Sequence, residues 1–242
     1  MKKIIFLGYF LFLFTLIGYS QFYFRFGGGA GLGFPYDDPT FYSHKGITVT
    51  PVNAALGKGV SANIALQWMI GKYIGTELAI KGFYGSSVYK NDLYKMSAWF
   101  VYEETRWGMM MQFIPSLIIT PGFQKVNPYV RLGLIIGAVT KVYQKSWLYT
   151  ISSYGLKVLE DNFYYGGIAP GFTFDLGVDL RLNSIMTFYS ELDFNLIRYS
   201  PKFGTYEDTD PNYDQVKNDL KNIRLSFSNV EFSFGLKFFL GK

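Results

Sequence analysis

The chain of 242 residues contains no cysteine. Disulfides, thiolate catalysis and cysteine-based metal sites are therefore excluded. It has a single histidine, His44, which leaves little for histidine-based chemistry. Charged residues make up 17% of the chain, below the roughly 25% usual for soluble proteins. Beyond position 21 no apolar run is long enough for a membrane-spanning helix, which needs about 20 residues. With a mean hydropathy of only +0.12, a bundle of apolar helices is excluded as well.

Aromatic residues, by contrast, are abundant. They reach 20% of the chain, with 20 Tyr and 24 Phe. Such enrichment is usual where rings sit at a bilayer interface. The formal net charge is +5, and removing Lys2 and Lys3 with a leader leaves +3, spread over both signs. That balance gives no reason to expect a nucleic-acid partner.

The first twenty residues have the form of a processing segment. Lys2 and Lys3 are a positive start, and Ile4 to Ile17 form an apolar stretch of fourteen residues broken only by Gly8 and Thr15. Gly18-Tyr19-Ser20 then puts small residues at −3 and −1, so cleavage is expected before Gln21. Residues 1–20 are expected to be a cleaved signal peptide and residues 21–242 a single barrel domain. No cysteine follows the site, so a lipoprotein is not expected.

The mature chain alternates. In Phe172 to Arg181, Phe-Thr-Phe-Asp-Leu-Gly-Val-Asp-Leu-Arg, every second side chain is apolar. Side chains alternate faces along a strand, so this is a strand with one apolar and one polar face. Eight such segments are predicted, at about Phe22–Phe34, Val60–Ile70, Tyr73–Tyr89, Phe100–Thr120, Pro128–Trp147, Phe172–Arg181, Ile185–Ser200 and Phe227–Leu240. Short turns join segments 2–3, 4–5 and 6–7. Longer loops, about Tyr36–Gly59, Lys90–Trp99, Leu148–Asn162 and Pro201–Ser226, join the others. Alternating short and long connections are the habit of outer-membrane barrels. An inward row of glycines in the first segment leaves room for long side chains from neighbouring strands.

The apolar faces carry Leu, Ile, Val and Phe over about nine to eleven residues, enough for a tilted strand to cross a bilayer. The opposite faces are short, glycine-rich and mixed in charge. The expected fold is all-β, an eight-stranded antiparallel up-and-down transmembrane β-barrel in a bacterial outer membrane. Backbone groups in lipid must be paired, which requires closure. Two aromatic girdles are expected: Trp68, Tyr73, Tyr129 and Phe238 at the turn end, and Tyr84, Trp107, Tyr143, Trp147, Tyr164 and Tyr199 at the loop end. Pro115 and Pro170 fit a ladder poorly, since proline donates no hydrogen bond. A bulge or local break is predicted at Pro115.

Several stretches resemble the outer-membrane β-barrel proteins of Bacteroidota: Leu56-Gly57-Lys58-Gly59, Ile74-Gly75-Thr76-Glu77-Leu78, Phe113-Ile114-Pro115-Ser116-Leu117, Asn127-Pro128-Tyr129-Val130-Arg131-Leu132-Gly133, and Tyr189-Ser190-Glu191-Leu192-Asp193-Phe194 with Tyr199-Ser200-Pro201. The similarity runs from about Phe22 to Leu240. It implies an eight-stranded integral barrel and no shared reaction. Members of that family also carry the fourth-strand proline, and one relative type supports a protein-secretion apparatus.

The best chemical constellation is the set of inward charges: Arg25, Glu77, Lys81, Arg106, Arg131, Lys141, Asp175, Asp179, Arg181, Glu191, Asp193, Glu231 and Lys237. An eight-stranded barrel is just wide enough for side chains to fill. Charges of both signs there are expected to pair across strands as a plug, because an unpaired buried charge is costly. The competing reading is a narrow ion path or proton relay. Arg131, Asp175 and Glu191 fall on consecutive strands at mid-barrel.

Other signals are weaker. His44 with Ser43 and Asp92 has no spacing that supports acyl transfer. Glu207-Asp208-Thr209-Asp210-Pro211-Asn212-Tyr213-Asp214 lacks the glycine and terminal glutamate of a calcium loop. Lys217, Lys221 and Arg224 follow it. Gly27-Gly28-Gly29-Ala30-Gly31 has no helix after it and fails as a nucleotide loop. No catalytic, metal or cofactor site is expected. The expected role is structural or surface-interacting: envelope integrity, binding through extracellular loops, or support of a larger complex. A narrow channel is the alternative, and a lipid-modifying enzyme a more distant one. Outer-membrane lipid and other envelope proteins are the expected partners of a monomeric barrel.

Overall fold

The computed structural model describes residues 20–34, 43–44, 47–48, 56–95, 99–150, 156–207 and 224–241. Eight strands form the barrel: β1 (Ser20–Gly33), β2 (Gly59–Ile70), β3 (Ile74–Gly85), β4 (Trp99–Ile119), β5 (Val126–Thr150), β6 (Ala169–Arg181), β7 (Met186–Tyr199) and β8 (Asn229–Gly241). Each pairs antiparallel with the next, and β1 pairs with β8 to close the ring. The eight-stranded antiparallel barrel read from the alternation is therefore the observed fold. The expected leader lies outside the described residues except Ser20, which pairs with Ile70.

Alternation sorts the side chains as expected. Leu134 and Leu196 point outward, 62% and 60% exposed, while Asp175 and Glu191 inside the ring are 0% and 1% exposed. The tight turns are built locally. Gly71 and Gly122 take positive φ of 75° and 73°. The Asn183 side-chain oxygen accepts hydrogen bonds from the backbone N–H groups of Ile185 and Met186, both at 2.8 Å.

The inward glycines do make room. Gly27 and Gly235 face each other across β1 and β8, and Tyr189 pairs with Gly235 from β7. A Cβ at Gly27 would stand 2.0 Å from the Tyr189 hydroxyl oxygen, and one at Gly235 would stand 2.1 Å from the backbone oxygen of Phe26. The Tyr189 ring thus lies across a notch that only two glycines can form.

Pro115 does not carry a bulge. It pairs with Leu78 in unbroken register on one side, while on the other the β4–β5 pairing omits Ile114 and Pro115 and resumes unshifted. This is the local break that a missing N–H imposes. Outside it lies an apolar depression of about 550 Å³ lined by Leu66, Leu78, Leu117, Leu132, Leu134 and Phe172. Pro170 pairs with Ile136 but lies just beyond the β6–β7 ladder, so its missing donor is not needed there.

The bulge is elsewhere. The β4–β5 register shifts between Met109 and Met111, and Val139 opposite takes a positive φ of 50°. Val139 is the only described non-glycine residue in that conformation. An extra residue in one strand reverses which side chains face inward beyond it. Thr140, Val142 and Gln144 are consequently buried. Tyr143 goes outside, where its ring stacks on Trp107 at 4.1 Å. Lys141, expected inside, is on the outward side as well and pairs with Met109 and Tyr165.

All four expected long loops contain some sheet, and three of them extend the barrel wall. Val88–Lys95 pairs with the outer half of β4, in the segment expected to be the loop Lys90–Trp99. Leu156–Tyr165 pairs with β5, and Phe203–Glu207 pairs with Leu156–Tyr165. The barrel wall therefore extends at the loop end into an open, five-stranded flap. Outward aromatics run across it in an unbroken row, from Tyr84 through Trp107, Tyr143, Phe163 and Tyr165 to Phe203, at centroid spacings of 5.7, 4.1, 4.5, 5.2 and 5.5 Å. Three members expected in the girdles are instead inside: Tyr129, Tyr164 and Tyr199. The Trp147 side chain lies outside the described residues.

Substituting Gly27 or Gly235 by valine should displace Tyr189 and cost about 1–3 kcal/mol, the usual range for overpacking. Gly82, whose added Cβ would meet nothing within 4 Å, is the control, and its alanine variant should change stability by less than about 0.5 kcal/mol. Urea unfolding of the refolded barrel, followed by tyrosine fluorescence, measures both.

Candidate functional site

The lumen is layered. In its middle the inward face of each strand presents polar residues, opposite an outward face that is mostly apolar. Four cations, Arg25, Lys81, Arg131 and Lys237, are buried there with five carboxylates, Glu77, Asp175, Glu191, Asp193 and Glu231.

Arg131 on β5 is the hub. Its Nε lies 2.5 Å from Asp175 Oδ2 on β6, and one terminal nitrogen lies 2.6 Å from Glu77 Oε1 on β3. The other terminal nitrogen lies 3.1 Å from Glu191 Oε2 on β7 and 4.0 Å from Asp193 Oδ1. Only a planar, forked cation can serve that many acceptors at once. Arg25 on β1 shares two of these carboxylates, at 2.5 Å from Glu191 and 3.4 Å from Glu77. Its guanidinium also sits 4.5 Å from the Tyr189 ring centroid, a cation–π contact. Tyr129 donates its hydroxyl hydrogen to Glu191 at 2.6 Å.

A second cluster lies toward the loop end. Lys81 on β3 is 2.9 Å from Glu231 on β8 and 3.5 Å from Asp193 on β7. Ser61 donates to Glu231, and Ser233 donates to Asp193 at 2.9 Å and to Glu231 at 3.0 Å. Thr173 donates to Asp175. Toward the turn end Lys237 is 2.8 Å from Asp179 and 4.3 Å from the Tyr129 ring centroid.

The inward charges are thus gathered with three exceptions. Lys141 is outside because of the Val139 bulge. Arg181 shares the inward face of Asp175 and Asp179 but lies beyond the network, exposed at the turn-end rim, where its Nε donates to the Asn183 carbonyl at 3.1 Å. Arg106 is buried further toward the loop end, opposite Gln144.

Above the charges lies an apolar cap that sequence reasoning did not isolate. Leu56, Phe83, Met110, Ile135, Tyr199 and Phe227 belong to one buried cluster that also takes in Val142, Tyr164 and Leu225. Phe227 meets Phe83 and Tyr199 edge-on, each at 6.2 Å. The signal was present: Phe83 follows Lys81, and Met110 precedes Gln112, on the same inward parity. The ion-paired belt and the cap together fill the lumen from mid-height to the loop end.

Among the described residues no cluster of three or more His, Asp or Glu could hold a metal ion. The histidine expected in the first long loop lies in a two-residue strand, Ser43–His44, paired with Ile47–Thr48. Its side chain, that of Asp92, and the acidic stretch beyond Glu207 lie outside the described residues, as do Lys217 and Lys221.

Removing the hub would take the paired cation from Asp175 and leave Glu77 and Glu191 to share Arg25. Arg131→Ala should destabilise the barrel by about 3–5 kcal/mol, the cost of breaking a buried ion pair. Arg131→Lys should recover only part of this, since an ammonium cannot fork between the carboxylates. Urea midpoints of the refolded variants in vesicles test the ranking. Equal midpoints for the wild type and Arg131→Ala would show that water enters and solvates the carboxylates.

No family model matches the chain, and no curated protein matches it either. Among solved structures it is similar to Neisserial surface protein A (NspA), at 14% identity over 90% of this chain and 96% of that one, with a TM-score of 0.44. It is similar to CarO2 of Acinetobacter baumannii at 14% identity, over 89% and 98%, with a TM-score of 0.37. It is also similar to Ail, the attachment invasion locus protein of Yersinia pestis, in complex with the heparin analogue sucrose octasulfate, at 7% identity, over 91% and 97%, with a TM-score of 0.34.

Proposed function

We propose that this chain is an integral barrel of a bacterial outer membrane that acts as a closed structural and surface-interacting element, without catalysis. The carrying observation is the pairing of an apolar outer wall with a filled lumen. Leu, Ile and Phe cover the outside, including Leu32, Ile64, Leu134, Leu196 and Phe232, each more than half exposed. A contiguous apolar wall of this kind is unfavourable in water and suited to lipid. The aromatic row from Tyr84 to Phe203 has the character of an interfacial girdle.

A channel is disfavoured by the same interior. Arg131 and Arg25 are fixed by several carboxylates each, so a passing ion would have to break more than one buried pair. It would then have to pass Phe83, Met110, Ile135 and Phe227 of the apolar cap, which offer it nothing in place of hydration. Among the described residues, the flap of Val88–Lys95, β4, β5, Leu156–Tyr165 and Phe203–Glu207 is available for contacts at the loop end. Envelope support or surface binding by this end is the role that remains for a closed barrel.

The refolded protein should migrate differently on SDS gels before and after boiling, and the native protein should fractionate with outer membranes. Planar bilayers containing it should show no ohmic steps. Regular conductance steps from the wild type would reinstate the channel, and recovery in a soluble fraction would end the membrane reading altogether.

A further inference from the structure

Pro115 leaves a gap in the backbone pairing of the outer wall, and the register tells which bond is missing. In an antiparallel ladder a residue's N–H and C=O point to the same neighbour, and only alternate opposed pairs exchange bonds. Pro115 keeps its pairing with Leu78 on β3. On the β5 side Phe113–Ile136 and Ser116–Gly133 remain paired, while Ile114 and Pro115 lose their partners. That pattern arises when the absent N–H of Pro115 points toward β5, where it would have met the carbonyl oxygen of the opposed Leu134. The Leu134 carbonyl therefore lacks its ladder donor. The neighbouring Ser116 hydroxyl does not replace it, since Ser116 Oγ has no hydrogen-bond partner.

The gap opens outward. Besides its leucines and Phe172, the depression over Pro115 is lined by Glu77, Ser116 and Gly133. Those three are buried, inward-facing positions, so they reach an outside depression through their main chain. Backbone polar atoms thus border a pocket that is otherwise hydrocarbon. Water would satisfy an unpaired carbonyl there, but the core of a bilayer holds none, and an unpaired backbone group is strongly unfavourable in it. A plain acyl chain fills the depression and offers no donor. A chain that carries a hydroxyl offers one.

Depth selects where on the chain the hydroxyl sits. Trp68 lines the same depression and stacks on Phe22 near the β2–β3 turn, a place suited to an interfacial ring. It shares one row across the strands with Thr76, Leu117 and Leu132. Leu134 lies two residues farther from the turn, about 5 Å deeper for a strand tilted by about 40°. A hydroxyl near the ester end of the chain reaches that level, and one at the methyl end does not.

We propose that the depression over Pro115 is a lipid site selective for an acyl chain with a β-hydroxyl. The hydroxyl donates to the Leu134 carbonyl oxygen, and the chain lies along Leu66, Leu78 and Phe172. The site belongs to the leaflet at the turn end, and it rests on the membrane reading given above.

The test uses the full barrel in dimyristoylphosphatidylcholine nanodiscs, with carbonyl-labelled leucine and nitrogen-labelled isoleucine. NMR then reads only leucines that precede isoleucine, in the barrel Leu117, Leu134 and Leu196. The Leu134 signal is the one lost in Leu134→Val. Methyl β-hydroxymyristate should move that signal downfield saturably. Methyl myristate should reverse the shift only at about tenfold higher concentration, the worth of one hydrogen bond. Methyl ω-hydroxymyristate should behave like methyl myristate. Pro115→Ala restores an N–H opposite Leu134, so its signal should lie downfield from the start and not respond. If that variant does not fold, the three esters on the native sequence still decide. Equal competition by methyl myristate, an equal shift by the ω-hydroxy ester, a response retained in Pro115→Ala, or no shift at all would each overturn the proposal. Flotation with vesicles of the same lipid separates the two readings. A barrel that floats but gives no shift ends this proposal alone, and one that does not float ends the membrane reading with it.

Discussion

A ring of eight strands with an apolar outer wall has only one place to put its polar side chains, and that place is narrow. An interior just wide enough for side chains brings residues from non-adjacent strands into contact. Arg131 on β5 reaches Glu77 on β3 and Glu191 on β7, and Arg25 on β1 reaches the same two carboxylates. Charges this deeply buried are tolerated only when paired and further hydrogen-bonded. Tyr129, Ser61, Ser233 and Thr173 supply those further bonds. The ionic belt thus follows from closure, and it locks strands that backbone pairing alone leaves unconnected across the lumen. The glycines of β1 and β8 are the steric counterpart, since the belt needs the thickness that Tyr189 and the arginines occupy.

Much of this was legible because a strand repeats every two residues. Parity alone puts Asp175, Glu191, Asp193 and Glu231 on the inside, and the structure brings them together with Arg25, Lys81 and Arg131. Parity fails where the count of residues changes, and Val139 is that place. Nothing in Gly-Ala-Val-Thr-Lys marks an extra residue, because the position with positive φ, which favours glycine, is filled by the β-branched Val139. Inward parity is therefore inverted over the described residues of β5 beyond it, so Lys141, expected inside, faces out, while Tyr143 takes its expected place in the outer aromatic row, stacked on Trp107. Pro115 carries the opposite lesson. Its chemistry made the broken pairing predictable, yet the register survives it, since a missing donor removes hydrogen bonds without adding a residue.

Three of the expected girdle residues, Tyr129, Tyr164 and Tyr199, lie inside for a related reason. Aromatic rings serve equally at a lipid interface and in a packed interior, so composition cannot separate the two. Tyr164 and Tyr199 look interfacial by position along their strands, but both face inward and help to build the apolar cap. Phe163, Tyr165 and Phe203 take the outward places, on strands that the loop composition concealed. Leu156–Tyr165 and Phe203–Glu207 alternate only weakly. Leu156–Tyr165 pairs with a β5 that continues well past the barrel, and Phe203–Glu207 pairs in turn with Leu156–Tyr165, a tertiary effect that local pattern does not contain.

The two ends of the lumen have different physics, and this bears on what the barrel can do. At the loop end, Phe83, Tyr199 and Phe227 close the interior with side chains that offer a hydrated ion no replacement ligands. In the middle, each cation is held by carboxylates from several strands, so moving one disturbs the others. At the turn end the strands stop and the polar inward face meets an open cavity, with Lys72, Lys125 and Arg181 around the rim. A conducting path would have to defeat the belt and the cap in succession, two barriers of opposite chemical character. A solute entering from the turn end meets neither, because the cavity stops at the Lys237–Asp179 pair. The same closure that argues against transport therefore leaves one accessible compartment, sealed from the other end by the belt and the cap.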